Sequence, residues 1–450
     1  MAKYTVDQGK LRAQYEMDAL HAQQWVADMK AYLLEQEKPN IEPLRKLCSE
    51  TEWIPNRVFQ CDHSEGGIAN IFVQVLECVR FAIMGGASVI IPKIAYRGTI
   101  LAELSGHDAG GLEYLFDKDV FISSLQTACP QLGLYENRES IPNISADQTA
   151  LNIEPRDLRL EMSYVGWRER FEATLKETME AEKKEDPNAE SHEITLVNIT
   201  PYGHHLIFTY YIAEDNVDLQ STFSSILRFN EAIYEMSAWT LYGLSSFDPS
   251  LQPPSQDSGK SPLDFLKGLG LVGVHLRVEA DAQAIHWPGY EVQTKDYFDR
   301  IDALREESLQ DEGGSPVNTI YLATGNQAHR ELFSHHAWVR NQYHVIDKST
   351  VLSALSTESR NLTQEMENLT WDQQALIDMV VLSHGCRMVT GMVLSSYIWK
   401  VALHRHLTLN TAYGIDLPNF TTDQATFDDG LSYIPGAPGD APWFRRSTWP

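Results

Sequence analysis

The stretch Leu271-Val-Gly-Val-His-Leu-Arg-Val-Glu-Ala-Asp281 constrains the fold most. An unbroken apolar strand belongs in a parallel sheet covered on both faces. One that stops abruptly in His, Arg and two carboxylates delivers those groups to the carboxyl edge of the sheet, where open α/β folds bind ligands. The pattern returns twice: Asn318-Thr-Ile-Tyr-Leu-Ala-Thr324 runs into Gly325-Asn326, and Cys386-Arg-Met-Val-Thr-Gly391 leads toward Ser395-Ser396. A helix-like stretch follows each. Three strand ends offering Arg, Thr/Asn and Ser/Gly point to a polar, anionic ligand.

Length and composition narrow the class. With 450 residues, two domains are expected. No apolar run approaches the roughly 20 residues that span a bilayer, and Met1-Ala-Lys-Tyr-Thr5 is not a secretory signal, so no membrane segment is expected within the sequence. The 62 acidic residues against 36 basic ones give a net charge of −26, which argues against a nucleic-acid partner. A small phosphate ligand stays compatible, because one Arg and a few backbone N–H groups can hold a diphosphate. The five cysteines, Cys48, Cys61, Cys78, Cys129 and Cys386, contain no C-x-x-C pair, and the odd count leaves at least one thiol free if the others pair. Sequons at Asn143, Asn198, Asn361, Asn368 and Asn419 tilt the compartment toward the secretory lumen, with a cytoplasmic location still open.

Along the chain, residues 1–45 read as a polar amphipathic helix, roughly Val6 to Gln36, serving as a spacer. Residues 46–250 form a first α/β domain, 251–262 a proline-rich linker, 263–415 a second α/β domain and 416–450 a tail. In the first domain, strand Arg57–Cys61, a glycine loop ending at Gly67, a helix carrying Ile68, Phe72, Val75, Leu76, Val79 and Ile83, and strand Ala87–Pro92 make a βαβ unit. Ser221–Leu244 reads as one helix.

The residues Gly66-Gly-Ile-Ala-Asn70 with Ser88-Val-Ile-Ile-Pro92, then Gly273-Val-His-Leu-Arg277 with Glu279 and Asp281, then Tyr321-Leu-Ala-Thr-Gly325 and Ser395-Ser-Tyr-Ile-Trp399 resemble, in order, the motifs of the GDP-fucose protein O-fucosyltransferase family. Phe116-Asp117 to Cys129-Pro130 resembles its fungal members. The resemblance covers roughly residues 53–410. It implies a GT-B fold, two Rossmann-like domains facing across a cleft. Donor nucleotide would lie mainly on the C-terminal domain and acceptor on the N-terminal one, with inverting transfer that needs no metal or other cofactor. The implied partners are GDP-fucose and a protein or glycan acceptor.

On that resemblance Arg277 contacts the donor diphosphate, whose charge grows as the glycosidic bond breaks. His275, Asp281, Thr324, Asn326, Ser395 and Ser396 are the other donor-side candidates. Gly325-Asn326 stands where many relatives carry an acidic residue and Ser. Ser395 and Ser396 precede a helix, where hydroxyls suit either a phosphate or ordinary N-capping. Gly66, Gly67 and Asn70 form the glycine-loop candidates, and Glu65 is the candidate base for the acceptor hydroxyl, with Asp62 and His63 as local competitors.

Other signals carry less. Asp117-Lys-Asp119 reads as a surface turn. Gly268-Leu-Gly-Leu-Val-Gly273 leads into a strand and opens no helix, which removes the context a dinucleotide fingerprint needs. His204-His205, His335-His336 and His404/His406 have no carboxylate at metal-ligand spacing, and no metal site is expected. Two function classes follow: an active transferase of fucose or another deoxysugar, and a non-catalytic relative that binds nucleotide or glycan.

Overall fold

The computed structural model describes residues 19–436 and 449, apart from 62–63, 98–108, 146–147, 154–166, 186–193, 200–209, 211, 213–214, 255–260, 311–314, 358–359 and 408–425. It is mixed α/β, as expected, and divides into two compact units, each with its own sheet. The first described helix, α1 (Ala19–Gln36), falls in the unit made of Met1–Glu37 and Glu231–Pro442; the other unit comprises Lys38–Asn230 with Trp443–Trp449.

The sheet of the Lys38–Asn230 unit has the order β5-β2-β1-β7-β6. Its strands β1 (Arg57–Cys61), β2 (Ser88–Ile90), β5 (Leu134–Tyr135), β6 (Leu151–Ile153) and β7 (Thr195–Ile199) all pair in parallel. Between β1 and β2 runs α2 (Ile68–Met84), completing the βαβ unit read from the sequence. Strands β3 (Ile94–Ala95) and β4 (Ala109–Gly110) form a separate antiparallel pair. Every residue of α2 except Asn70 is buried. Its two charged members are satisfied inside: Glu77 accepts the Tyr210 N–H at 3.2 Å, and Arg80 forks onto Asp215 at 3.1 and 2.6 Å. Two disulfides, Cys48–Cys129 and Cys61–Cys78, fasten this unit, while Cys386 of the other unit is a buried free thiol.

The second unit carries a six-stranded sheet, β10-β9-β8-β11-β13-β12. Strands β8 (Leu271–His275), β9 (Thr319–Ala323) and β11 (Met388–Gly391) are buried at every position, which accounts for their unbroken apolar sequences. They pair in parallel with one another, with β10 (His344–Ile346) and with β13 (Ser432–Ile434), and only β12 (Phe427–Asp428) runs antiparallel. The chain leaves β8 toward β9 and β10, then returns to the opposite side of β8 as β11. The order therefore reverses between β8 and β11, the topological switch point of an open α/β sheet. Gly273 is packed so closely that a Cβ there would lie 2.4 Å from Leu382 and 3.0 Å from the Cys386 sulfur. Gly273 thus serves close packing within β8, and the glycine motif runs into a strand, as read from the sequence.

Three expectations change. The N-terminal helix is no polar spacer. Ala22, Trp25, Val26, Met29 and Leu33 recur every three or four positions and are all buried, with Trp25 edge-on to Tyr242 at 5.4 Å and its indole N–H on Gln252 at 2.8 Å. The amphipathic pattern is as read from the sequence, but its apolar face is packed into the unit instead of lining a spacer. The expected 221–244 helix is interrupted: Phe229 bridges Phe116, and Asn230 donates to Leu115 at 3.1 Å. The next helix, α3 (Glu231–Ser245), starts in the other unit, so the hand-over comes before the proline-rich stretch. Part of the expected tail, β12 and β13, is sheet. The remaining helices used below are α4 (Gln327–Asn341), α5 (Trp371–His384) and α6 (Ser396–Arg405).

Trp25→Ala should therefore cost about 3–5 kcal/mol in urea unfolding. Leu20→Ala, five residues earlier and 79% exposed, should stay within about 0.5 kcal/mol of wild type. Equal effects would contradict the packing assigned to α1.

Candidate functional site

Strand β8 ends at His275, whose neighbours across the sheet are Ala323 of β9 and Gly391 of β11. The turn after it holds Arg277. Gln293 fixes that turn through the main chain: the Arg277 N–H donates to its side-chain oxygen at 3.2 Å, and its amide nitrogen donates back to the Arg277 carbonyl at 2.6 Å and to Pro288 at 2.7 Å. The guanidinium lies between two carboxylates, with Nη1 donating to Glu279 at 2.6 Å and Nη2 to Asp281. Its side chain is 16% exposed. Burial by itself would lower the Arg277 pKa, but Glu279 and Asp281 raise it, so the group is always cationic. Of its five N–H donors, three make no hydrogen bond among the described residues.

Glu279 does more than pair with Arg277. Its second oxygen accepts the Gly325 N–H at 2.7 Å and the Thr324 hydroxyl at 3.4 Å, tying the β8 turn to the β9 turn. A Cβ on Gly325 would come within 3.2 Å of both that oxygen and the Trp371 indole nitrogen, so a side chain there would crowd the junction. Burial would push the Glu279 pKa up, yet Arg277 and the Gly325 N–H hold it below the ordinary carboxylate value. Asn326 is the N-cap of α4 and accepts the His329 N–H at 3.1 Å, so local geometry accounts for it without a ligand.

His275 stacks on Tyr397 with ring centroids 4.4 Å apart, and the Tyr397 hydroxyl donates to the Ala375 carbonyl at 2.8 Å. The His275 Nδ1 is buried with no hydrogen-bond partner among the described residues. Burial lowers its pKa to about 4, leaving a neutral ring at physiological pH. Ser395 occupies the N-cap of α6 but makes no side-chain cap, and it is 3% exposed. Ordinary capping therefore does not explain its hydroxyl. Ser396 is the first residue of that helix. Tyr321 and Trp399 are core side chains, bonded to Asp378 at 2.6 Å and to Val393 at 2.7 Å.

In the other unit, Glu65, Gly66, Gly67 and Asn70 come together at the start of α2. Gly66 has φ +97°, a conformation open to glycine at little cost, and Gly67 is the N-cap. Gln74 secures the loop by accepting the Glu65 N–H at 3.2 Å and donating to its carbonyl at 2.7 Å. Glu65 is 5% exposed. The Cys61–Cys78 disulfide closes the same segment, joining the end of β1 to the middle of α2. Asp62 and His63 lie outside the described residues. Arg97 places a guanidinium nitrogen 3.8 Å from a Cβ position on Gly67, a neighbour that the sequence did not flag. Asp117 is the N-cap of helix Lys118–Ala128 and pairs with Arg228 at 2.7 Å, a structural role.

Between pH 6.5 and about 4 the unfolded chain binds a proton at His275 that the folded chain refuses. This ring therefore costs stability as pH falls through that window, and nothing above it. His275→Phe should flatten part of the decline in urea midpoint, and the His275 ring resonances should not titrate above about pH 5.

No protein-family model matches this chain, and no curated protein sequence does. Solved structures of fucosyltransferases are similar to it. POFUT1 in complex with GDP aligns with a TM-score of 0.41 at 10% identity, over 80% of this chain and 97% of that one. POFUT1 in complex with GDP-fucose aligns at 0.37 and 11% identity, over 76% and 92%. Fucosyltransferase NodZ from Bradyrhizobium aligns at 0.32 and 13%, over 76% and 89%. At these scores no residue's role is carried from those proteins to this one.

Proposed function

We propose that this chain is an inverting glycosyltransferase that moves fucose from GDP-fucose to an acceptor hydroxyl, by default a protein Ser or Thr, without a catalytic metal. The observation that carries the reading is the placement of Arg277. It stands two residues past the end of β8, at the β8/β11 switch point, with donors to spare, and the same unit holds a buried, uncapped Ser395 hydroxyl at the start of α6. A switch point is where open α/β sheets bind ligands. Guanidinium, hydroxyl and helix N-terminus together suit a diphosphate.

In this reading the residues act as follows. Arg277 stabilises the charge that grows on the leaving GDP, and Glu279 holds it in place through the Gly325 N–H. Neutral His275 offers a hydrogen bond from its ring. Glu65 takes the proton of the acceptor hydroxyl as that oxygen attacks the sugar carbon from the face opposite the diphosphate, which inverts the configuration and needs only one base. Asn70, the one residue of α2 that is not buried, is available to substrate.

The site belongs in the secretory lumen on this reading. Two disulfides persist in oxidising compartments. The sequon residues Asn143, Asn361 and Asn368 are exposed, whereas Asn419 lies outside the described residues. No helix among the described residues is long and apolar enough to cross a membrane.

One observation favours the second reading in its glycan-binding form, a non-catalytic relative that takes an uncharged sugar. The two carboxylates on Arg277 leave that cluster with net negative charge, which a diphosphate must overcome. Calorimetric titration with GDP in the absence of metal separates the cases. Binding should be present in wild type and weakened at least about 30-fold in Arg277→Ala, the roughly 2 kcal/mol lost when a charged partner is truncated. Glu65→Gln should leave GDP affinity intact and lower fucose transfer by about 10²–10⁴. Tight GDP binding with no turnover of GDP-fucose would favour a non-catalytic nucleotide binder, binding of GDP with turnover of a different GDP-sugar another deoxysugar donor, and no GDP binding at all would sink the nucleotide readings and favour the glycan binder.

A further inference from the structure

A separate cluster in the Glu231–Pro442 unit involves none of the residues above. Glu37 follows the last turn of α1, His384 ends α5 and His404 lies in the last turn of α6. Their side chains converge: one Glu37 carboxylate oxygen is 2.9 Å from His384 Nε2 and 3.4 Å from His404 Nε2. One ligand atom from each of the three residues lies within 4.8 Å of the other two. Both imidazoles are buried, and the carboxylate is 18% exposed.

We propose that Glu37, His384 and His404 form a binding site for a zinc-like divalent transition-metal ion that pins the end of α1 to α5 and α6. The chemistry fits in three respects. Tetrahedral zinc with N and O ligands at about 2.0–2.1 Å separates neighbouring ligand atoms by roughly 3.3 Å, between the two distances found here. Two imidazoles and one carboxylate make the three-ligand set that zinc accepts with a fourth position open. Calcium and magnesium, which take six or more oxygens or keep much of their water, are poorly matched by two ring nitrogens.

One group opposes the ion. Lys400 stands one helical turn before His404; burial lowers its pKa to about 7 while Glu37 favours its charged form, so a protonated Lys400 opposes a cation bound at that carboxylate. A metal has to displace it, which sets a moderate affinity and makes Lys400 a handle on the site.

The test is zinc titration of the full chain without a polyhistidine tag, after chelator treatment, read by calorimetry and by thermal unfolding. One ion per chain is expected, with a rise in Tm. His404→Ala should weaken binding by more than about tenfold, the least that even an outer-shell change costs, and should abolish the Tm response. If that variant does not fold, Glu37→Gln keeps the side chain's size and should weaken binding equally, with far-UV circular dichroism confirming the fold. Lys400→Met should tighten binding. Absence of one-to-one binding in wild type, undiminished affinity in a folded His404→Ala or Glu37→Gln, or unchanged affinity in Lys400→Met would each overturn the assignment.

Discussion

The Glu279 carboxylate is the junction on which the donor-side architecture depends. One oxygen holds the Arg277 guanidinium, and the other holds the Gly325 N–H. Two turns that are 46 residues apart in sequence become one rigid unit through a single side chain. A charge-assisted hydrogen bond in a buried setting is shorter and stronger than a neutral one. Removing Arg277 would leave two carboxylates without their counter-charge, whereas removing Glu279 would leave Arg277 paired with Asp281 alone. The consequence for binding is preorganisation: Arg277 has little freedom to lose when an anion arrives, because Gln293 grips its backbone and two acids grip its head.

The glycine loop of the other unit is secured by a covalent link and by amide contacts. Cys61–Cys78 closes a loop with a sequence separation of 17, which in the chain-entropy view is worth about 3 kcal/mol. Gln74 then takes both main-chain groups of Glu65. A carboxylate held this way on a fixed backbone keeps its position while Gly66 and Gly67 let other groups approach closely. The arrangement is only as durable as its oxidation state.

Strands and the loops after them were legible because local patterning decides them. The apolar runs of β8, β9 and β11 needed no partner information to be recognised, and Arg277 follows directly from the first. What stayed hidden depends on residues distant in the chain. Gln293 and Gln74 act on backbone sixteen and nine positions away, and an isolated Gln carries no signal of that. Glu37 meets His384 across a separation of 347 residues, a proximity that spacing along the sequence does not reveal. Ser395 could be read from sequence as either cap or phosphate ligand, and the structure shows no cap from its side chain, whereas Asn326, read as a nucleotide-side residue, caps α4. The amphipathic pattern of α1 did not reveal which residues bury its apolar face, and the break before Glu231 arises from the pairing of Phe229 with Phe116 and of Asn230 with Leu115, contacts that no window on Ser221–Leu244 contains.

The membership of α1 in the later unit bears on how the protein is made. Its apolar stripe is finished when the ribosome reaches residue 37, but the unit it packs within resumes only at Glu231. At about 5–20 residues per second, that gap is roughly 10–40 s. For all that time Trp25, Met29 and Leu33 lack the neighbours that bury them, while the segment 38–230 is already emerging and can fold. The nascent chain thus carries an unsatisfied hydrophobic helix ahead of a folding domain, until the segment around Tyr242, Gln252 and Phe265 arrives to shelter it.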